Sequence, residues 1–581
     1  MSDVQNILEQ RFRAAIGAAF GAEYAGVDPL IRPAANPQFG DYQANVAMSL
    51  AKALGSNPRQ VAQAILDKID LTGITDTAPQ IAGPGFINLT LAPAFLNEQL
   101  SAIARDERLG VPLVDKPDTV VVDYSSPNVA KEMHIGHLRS TIIGDAIVRV
   151  LDYQGRRTIR QNHIGDWGTQ FGMLIEHLLT TGSTGESIRD LNDLYQQAKQ
   201  RFDADAEFAE AARKRVVALQ SGDPQTREIW QQLVEASKAY FQSIYERLGV
   251  LLQPEDARGE SFYNPLLPQV VEDLIEKKLA KESEGAWVVY PEGFRNPEGE
   301  PLGMIVRKSD GGFLYATTDL AAARFRINEL HADRIIYVTD ARQSQHFAML
   351  FQTLREAGWA DEHIRLDHVP FGTILGKDRR PFKTREGGTV RLVEVLDEAE
   401  RRAAAIVAEK NPALPADERQ VIARAVGIGA LKYADLSNDR IKDYVFDWDR
   451  MLSFEGNTAP YLQNAYVRIR AIFRRLEAQG LSAPGTDTAI LVREPAERQL
   501  ALRLFQFPGV IASVAESLEP HRLCNYLYDL AAAYHQFYEQ CPVLKADDEA
   551  IRASRLRLSD TVARTLKTGL SLLGIDVVEQ M

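Results

Sequence analysis

Hydrophobic positions change their period several times along the chain. Val4, Ile7, Leu8, Phe12, Ile16 and Phe20 recur at helical spacing. After a proline-rich connection, residues 39–54 begin with aromatic and polar side chains and become amphipathic, and residues 83–91 read as a strand after a turn. This mixture predicts a small α/β domain ending near Leu113. Thr119 to Tyr124 is a β-branched run of the length of a buried strand. Leu138, Ile142, Ala146, Ile147 and Leu151 then follow helical spacing, with Gly155 where a helix stop is expected. A second strand candidate and a glycine-rich loop, Gly165 to Gly168, come next. Strand, helix, strand is the unit of a parallel sheet, whose ligands collect at the carboxyl ends of the strands. From about Ser183 to Gly299 the pattern shifts to charged helices closing in a hairpin-like EGAWVVYPEG, without a chemical motif, and reads as an insertion that splits a nucleotide fold. Ile335 to Thr339 is a further strand run, and the last third is strongly helical.

The connection between the first buried strand and its helix carries unusual chemistry. Pro127 blocks early helix formation, so His134, Gly136 and His137 fall at the helix entrance. Unpaired N–H groups and the positive dipole end favour a phosphate there, and Gly136 leaves room for a flat ring or a phosphate. Two duller readings compete. A histidine pair three apart can be half of a metal site, but no HExxH, cysteine or third histidine lies nearby. It can also be an ordinary surface feature, and only the surrounding sequence separates these. His163, Asp166 and Trp167 either face the same cleft or merely shape their loop.

Composition narrows the class. A chain of 581 residues exceeds one core and suggests three or four domains, and 45% hydrophobic with 25% charged residues is typical of a soluble globular protein. Asp3, Glu9, Arg11 and Arg13 interrupt any signal-peptide pattern, and no apolar run is long enough to span a bilayer, so a cytoplasmic protein without a membrane partner is expected. Cys524 and Cys541 alone exclude a disulfide framework and a cysteine-rich zinc site. A net charge of −13 argues against nucleic acid only on average, since an acidic chain can hide a basic face. Arg468, Arg470, Arg474 and Arg475 accumulate with no acidic residue before Glu477, preceded by Tyr461, Gln463 and Tyr466. Basic groups beside stackable aromatics suit single-stranded RNA, although aromatics at helical spacing are also what a core requires.

SSPNVAKEMHIGHLRST, Ser125 to Thr141, resembles the HIGH region of class I aminoacyl-tRNA synthetases in the form found in arginyl-tRNA synthetases. The tetrapeptide alone fits any class I synthetase or a small nucleotidyltransferase; Ser126-Pro127-Asn128 and Lys131-Glu132-Met133 are more specific, and the resemblance continues to the last residue. It implies an α/β chain: a class I Rossmann-type parallel-sheet catalytic domain over 114–395, with a connective insertion at about 183–299. A small N-terminal α/β domain over 1–113 would touch the tRNA elbow, and a C-terminal all-α bundle over 396–581 would bind the anticodon. The implied activity is ligation of L-arginine to its tRNA through arginyl-adenylate, with ATP and Mg²⁺ as substrate complex, no bound zinc, and a monomeric enzyme.

Residue by residue, the resemblance assigns Asp319, Tyr315 and Gln343 to the arginine side chain, Ser126 and Asn128 to its α-amino and carboxylate end, and His137 close by. Tyr315 and Asp319 are four apart and share one face if Tyr315 opens a helix, and a guanidinium needs a coplanar carboxylate plus neutral acceptors. Without the family, a helix cap or surface ion pair would suit Asp319 better. His134, Gly136, His137, Lys131, Lys383 and Arg385 are assigned to ATP, with His134, His137, Lys131 and Lys383 catalytic. Phe39, Tyr42, Gln43 and Asn45 match the elbow-contacting motif, and Tyr461, Gln463, Tyr466, Arg468, Arg470 and Met581 the anticodon side. One departure stands out. Pro381-Phe382-Lys383-Thr384-Arg385 occupies the place of the KMSKS loop, so Thr384 replaces its second lysine. The resemblance implies Lys131 as the compensating candidate, followed by Lys383, Arg385 and Lys377. A class I synthetase of another specificity and a non-catalytic tRNA-binding relative are the alternatives.

Overall fold

A computed structural model describes residues 4–34, 36–182, 191–382, 390–546 and 548–581. Its centre is a four-stranded parallel sheet in the order Arg365–Phe371, Arg334–Asp340, Thr119–Asp123, Arg157–Gln161. The β-branched run is buried on both faces. Val120 and Val122 join one core with Ile336 and Val338, while Val121 joins the other with Ile335 and Tyr337. That is why it reads as continuously apolar rather than alternating. The chain leaves Thr119–Asp123 towards Arg157–Gln161 on one side, and its next sheet strand, Arg334–Asp340, lies on the other. The order therefore reverses beside Asp123, opening a crevice at the strands' carboxyl ends.

The helix Ile135–Tyr153 fills one face of this sheet. It is buried nearly all round, because Leu392–Lys410, Ala416–Leu436, Phe507–Ser517 and Glu549–Leu572 also pack on it. Each fully buried leucine or isoleucine there contributes about 1.5–3 kcal/mol. The insertion holds the helices Leu191–Ala204, Ala206–Ser221 and Pro224–Leu248, then Leu267–Glu276 and a three-stranded antiparallel sheet, Ala280–Ser283, Ala286–Val289 and Met304–Arg307. The hairpin reading is right in kind, with its turn at Glu284 and Gly285, and it carries a third strand.

The amino-terminal unit is a four-stranded antiparallel sheet under the helices Val4–Phe20, Val46–Leu54, Pro58–Leu66 and Pro93–Arg105. Its last helix is sewn to the far end of the chain. Ser101 Oγ and Asn97 Oδ1 accept from the backbone N–H groups of Ile490 and Val492, Arg557 and Arg564 both donate to the Ala104 carbonyl, and Arg498 pairs with Asp41. A division at 395/396 falls inside the helix Leu392–Lys410. The chain then returns to the catalytic side, where Tyr444–Val445 pairs in parallel with Ile374–Leu375. Among the described residues no helix is long and apolar enough to cross a membrane.

Candidate active site

The loop between Thr119–Asp123 and the long helix is held in an unusual path. Ser125, Ser126 and Ala130 have φ of 72°, 47° and 60°, which costs non-glycine residues roughly 1–2 kcal/mol each. Cross-bonds offset this. Ser125 N–H donates to Ser140 Oγ, Ser126 N–H to Asn162 Oδ1, and Ala130 N–H to Ser237 Oγ of the insertion. Asn128 lies against Gly165 so closely that a Cβ on that glycine would sit 2.2 Å from Asn128 Oδ1. Ser126 Oγ–H donates to Asp123 Oδ1 at 2.9 Å, and the buried Arg326 guanidinium holds Asp123 Oδ2 at 2.6 Å. With its proton committed, the Ser126 oxygen keeps lone pairs that suit an ammonium group.

His134 is the N-cap of the helix, and the two histidines cap it reciprocally. His134 Nδ1 accepts from Gly136 N–H at 3.1 Å, and His137 Nδ1 accepts from His134 N–H at 3.0 Å. Since both Nδ1 atoms accept, each neutral ring carries its proton on Nε2. Desolvation, then the neighbouring Lys131 charge, lower His134, and desolvation with the His134 ring beside it takes His137 down to about 3. The rings, 4.0 Å apart, thus stay neutral and can donate through Nε2 beside the positive end of the helix. Gly136 has a reason of its own, because a Cβ there would lie 2.8 Å from His134 Cε1. Gly136 thus makes room for the capping ring while still lining the cleft.

Tyr315 opens the helix Tyr315–Asn328, so it and Asp319 share a face. Tyr315 is 64% exposed, and Gln343 caps the helix Ser344–Glu356. His346 in that helix's first turn donates Nε2–H to Asp319 Oδ2 at 2.6 Å. Glu260 lines the same space; burial, with the charges of Asp319 and Asp166, pushes its carboxyl up to about 7. With Asp123 already paired to Arg326, the carboxyl groups of Glu260 and Asp319 make this end of the cleft a place for a cation.

The cleft itself measures about 600 Å³ and lies at the reversal of strand order. It brings together Ser126, Asn128, His134, Gly136 and His137 with Tyr315, Asp319 and Gln343. His163 lines it too, whereas Asp166 turns away to Ser261 and Trp167 packs on Trp230, so these two shape the loop. Lys131 Nζ lies over the ring of Tyr195, 4.9 Å from its centre, and Lys377 pairs with Asp447. Lys383, Thr384 and Arg385 lie outside the described residues. Asp123, Glu260 and His346 are among the lining groups that received no role from the sequence. Of these three, His346 carried a local signal, three places after Gln343 where a strand run gives way to polar residues.

The residues expected on RNA divide by burial. Phe39 is 47% exposed, but Tyr42 is 1% exposed inside the amino-terminal sheet, so its ring belongs to the core and the expected RNA contact is corrected. Gln43 bonds Asn88 side chain to side chain, and Asn45 caps the helix Val46–Leu54. Gln463 is corrected likewise. It is 0% exposed and its amide donates to the carbonyls of Ala425 and Asp576, tying the chain's end to the bundle. Tyr466 is corrected too, being 4% exposed in the core with its hydroxyl donated to Glu579; Arg470 also binds that carboxylate, Arg474 donates to the Glu579 carbonyl, and Met581 is half-buried. Tyr461 stacks on His535, which Arg468 also meets.

Three family models match the chain: tRNA synthetases class I (R), catalytic domain, at residues 99–448; DALR anticodon binding domain at 462–581; and arginyl tRNA synthetase N terminal domain at 6–91. An arginine–tRNA ligase of Laribacter hongkongensis is 54% identical over 97% of this chain and 98% of its own. One of Escherichia coli is 53% identical over 100% of both. Solved arginyl-tRNA synthetases from Plasmodium falciparum and Thermus thermophilus superpose with TM-scores of 0.86 and 0.83, at 30% and 28% identity, over 100% of each chain.

Proposed function

The chain belongs to the class I arginyl-tRNA synthetases and charges tRNA with arginine using ATP, and we propose how its own residues divide that work. The reading rests on one observation: the two capping histidines and Asp319, far apart in sequence, line the same cleft. Asp319, with Tyr315 and Gln343, takes the guanidinium. Ser126 and Asn128 take the α-amino and carboxylate end, which brings that carboxylate towards the amino end of the long helix. In the first step the arginine carboxylate attacks the α-phosphate of MgATP in line, releasing pyrophosphate and leaving arginyl-adenylate. In the second, the terminal ribose hydroxyl of tRNA attacks the activated carbonyl, and AMP departs. Neither step needs a covalent enzyme nucleophile; alignment and charge stabilisation suffice.

His134 and His137 donate Nε2–H to the α-phosphate and the adenylate, supported by the helix dipole. Lys131, with Lys383 and Arg385, neutralises the departing pyrophosphate. Phe39, Gln43 and Asn45 in a domain of about 1–113 meet the tRNA elbow. Tyr461, Arg468, Arg470 and Met581 serve the anticodon in a bundle that begins after the Tyr444–Val445 strand, because that strand still pairs with the catalytic unit. The enzyme works as a cytoplasmic monomer. Substituting Asp319→Asn and measuring aminoacylation at varied arginine tests the site: a sharply raised arginine KM is expected, and an unchanged KM removes Asp319 from the substrate.

A further inference from the structure

We propose that His346 is a positioning residue for the guanidinium, acting through Asp319; this rests on the assignment of Asp319 to the substrate. Among the described residues His346 is the side-chain partner of Asp319, holding Oδ2 at 2.6 Å, while the other oxygen has no bond from protein. A carboxylate on a helix surface rotates about two bonds, and a guanidinium bonds it well only in one plane. The imidazole removes that freedom. It leaves Oδ1 and one lone pair of Oδ2 for the two parallel N–H groups of a substrate.

The donor is itself fixed. The His346 ring meets the edge of Tyr315 at 5.0 Å and Phe347 at 5.3 Å, and Phe347 stacks on His368 at 4.8 Å. His368 is anchored in turn by Thr339 Oγ1 at 2.8 Å. Tyr315 and Asp319 come from one helix, while Gln343 and His346 come from the first turn of another. The aromatic wall, the carboxylate and its orienting donor are therefore set by two helix starts. Both helices begin at the edge of the cleft.

The test uses the full chain, aminoacylation with arginine varied at saturating ATP and tRNA, and thermal unfolding in parallel. H346F keeps a ring and loses the donor; it is expected to raise the arginine KM about tenfold or more, with kcat and the ATP KM nearly unchanged. H346Q, whose amide nitrogen reaches the place of Nε2, should restore most of the loss. H346N, whose amide reaches the place of Nδ1, should not. In a D319N background H346F should add little. An H346F arginine KM close to that of the parent, with D319N raising it, overturns the role of His346 and leaves Asp319 in place. An unchanged KM in D319N removes Asp319 and the inference with it. Equal H346F effects with and without D319N, or an H346N enzyme that matches H346Q, also overturn it. The last comparison decides the matter even if the phenylalanine variant does not fold.

Discussion

Arg139, two positions beyond His137, forms a buried ion pair with Asp435: Nε lies 3.2 Å from Oδ1 and 3.1 Å from Oδ2, with the two side chains 1% and 0% exposed. Its guanidinium also donates to the Lys442 carbonyl. The helix that carries the histidines is thereby locked to the helix Ala416–Leu436 on its way to the carboxy-terminal bundle. Removing one member of such a pair strands a charge away from water. Asp435→Ala should cost about 3–5 kcal/mol in urea unfolding, and Arg139→Met with Asp435→Leu should cost less than the single change. A single variant of parental stability would contradict the lock.

His134 has two separable duties. His134→Asn supplies an oxygen in place of the Nδ1 cap acceptor but removes Nε2–H, whereas His134→Ala removes both functions. Both should lower the rate of adenylate formation, by about 10²–10³ fold for a lost transition-state donor. Only the alanine variant should also lose about 1 kcal/mol of stability. Rapid-quench kinetics alongside thermal unfolding separates them, and an asparagine variant with the parental rate would take the imidazole out of the chemistry.

Glu260 should make arginine binding depend on pH. Its folded value, raised to about 7 by burial and by Asp319 and Asp166, exceeds the ordinary value of 4.5. For an acid shifted upward, the stability contribution is fully present below the ordinary value and disappears as pH rises through about 7. A guanidinium bound at Asp319 favours the ionised form, so arginine should release a fraction of a proton near neutrality and bind more tightly as pH rises from about 6 to 8. Calorimetry in buffers of different ionisation enthalpy measures this. Equal proton release from Glu260→Gln would assign the proton elsewhere.

Burial separates the RNA candidates. Gln463→Leu leaves the Asp576 and Ala425 carbonyls without their donor and should destabilise by about 1–3 kcal/mol. Phe39→Ala, at an exposed ring, should stay within about 0.5 kcal/mol of the parent and instead raise the tRNA KM. The reverse pattern would restore Gln463 to the RNA surface.

Because Thr384 stands where the second lysine of the loop motif would be, and because of the family resemblance, pyrophosphate exchange should require added tRNA. Full exchange without tRNA would show that the chain's own cations complete the phosphate site.

What was legible in the sequence is what local periodicity and spacing encode. Thr119–Asp123, its helix and the pairing of Tyr315 with Asp319 all follow from side chains a few residues apart. Asp123 and His346 gain meaning from Arg326 and Asp319, 203 and 27 residues distant, and Glu260 from the charges of Asp319 and Asp166, relations that no local window reveals. Tyr42 and Gln463 misled for a related reason. An aromatic in a three-residue strand and an amide on an arginine-rich helix look like contact residues, and only the packing around them shows that each is spent internally. The histidines were placed correctly at the helix start, but their mutual capping depends on ring orientation, which spacing does not contain.

The union of Pro93–Arg105 with the end of the chain sets a schedule for biosynthesis. The Ala104 carbonyl meets Arg557 only after 453 further residues have been added, roughly 20–90 s at ordinary translation speeds. Through that interval the first-made domain leaves the ribosome with Asp41 and its last helix uncovered. A nascent chain stalled before residue 490 would remain a natural client for chaperones, and the amino-terminal piece expressed alone should be markedly less soluble than the whole.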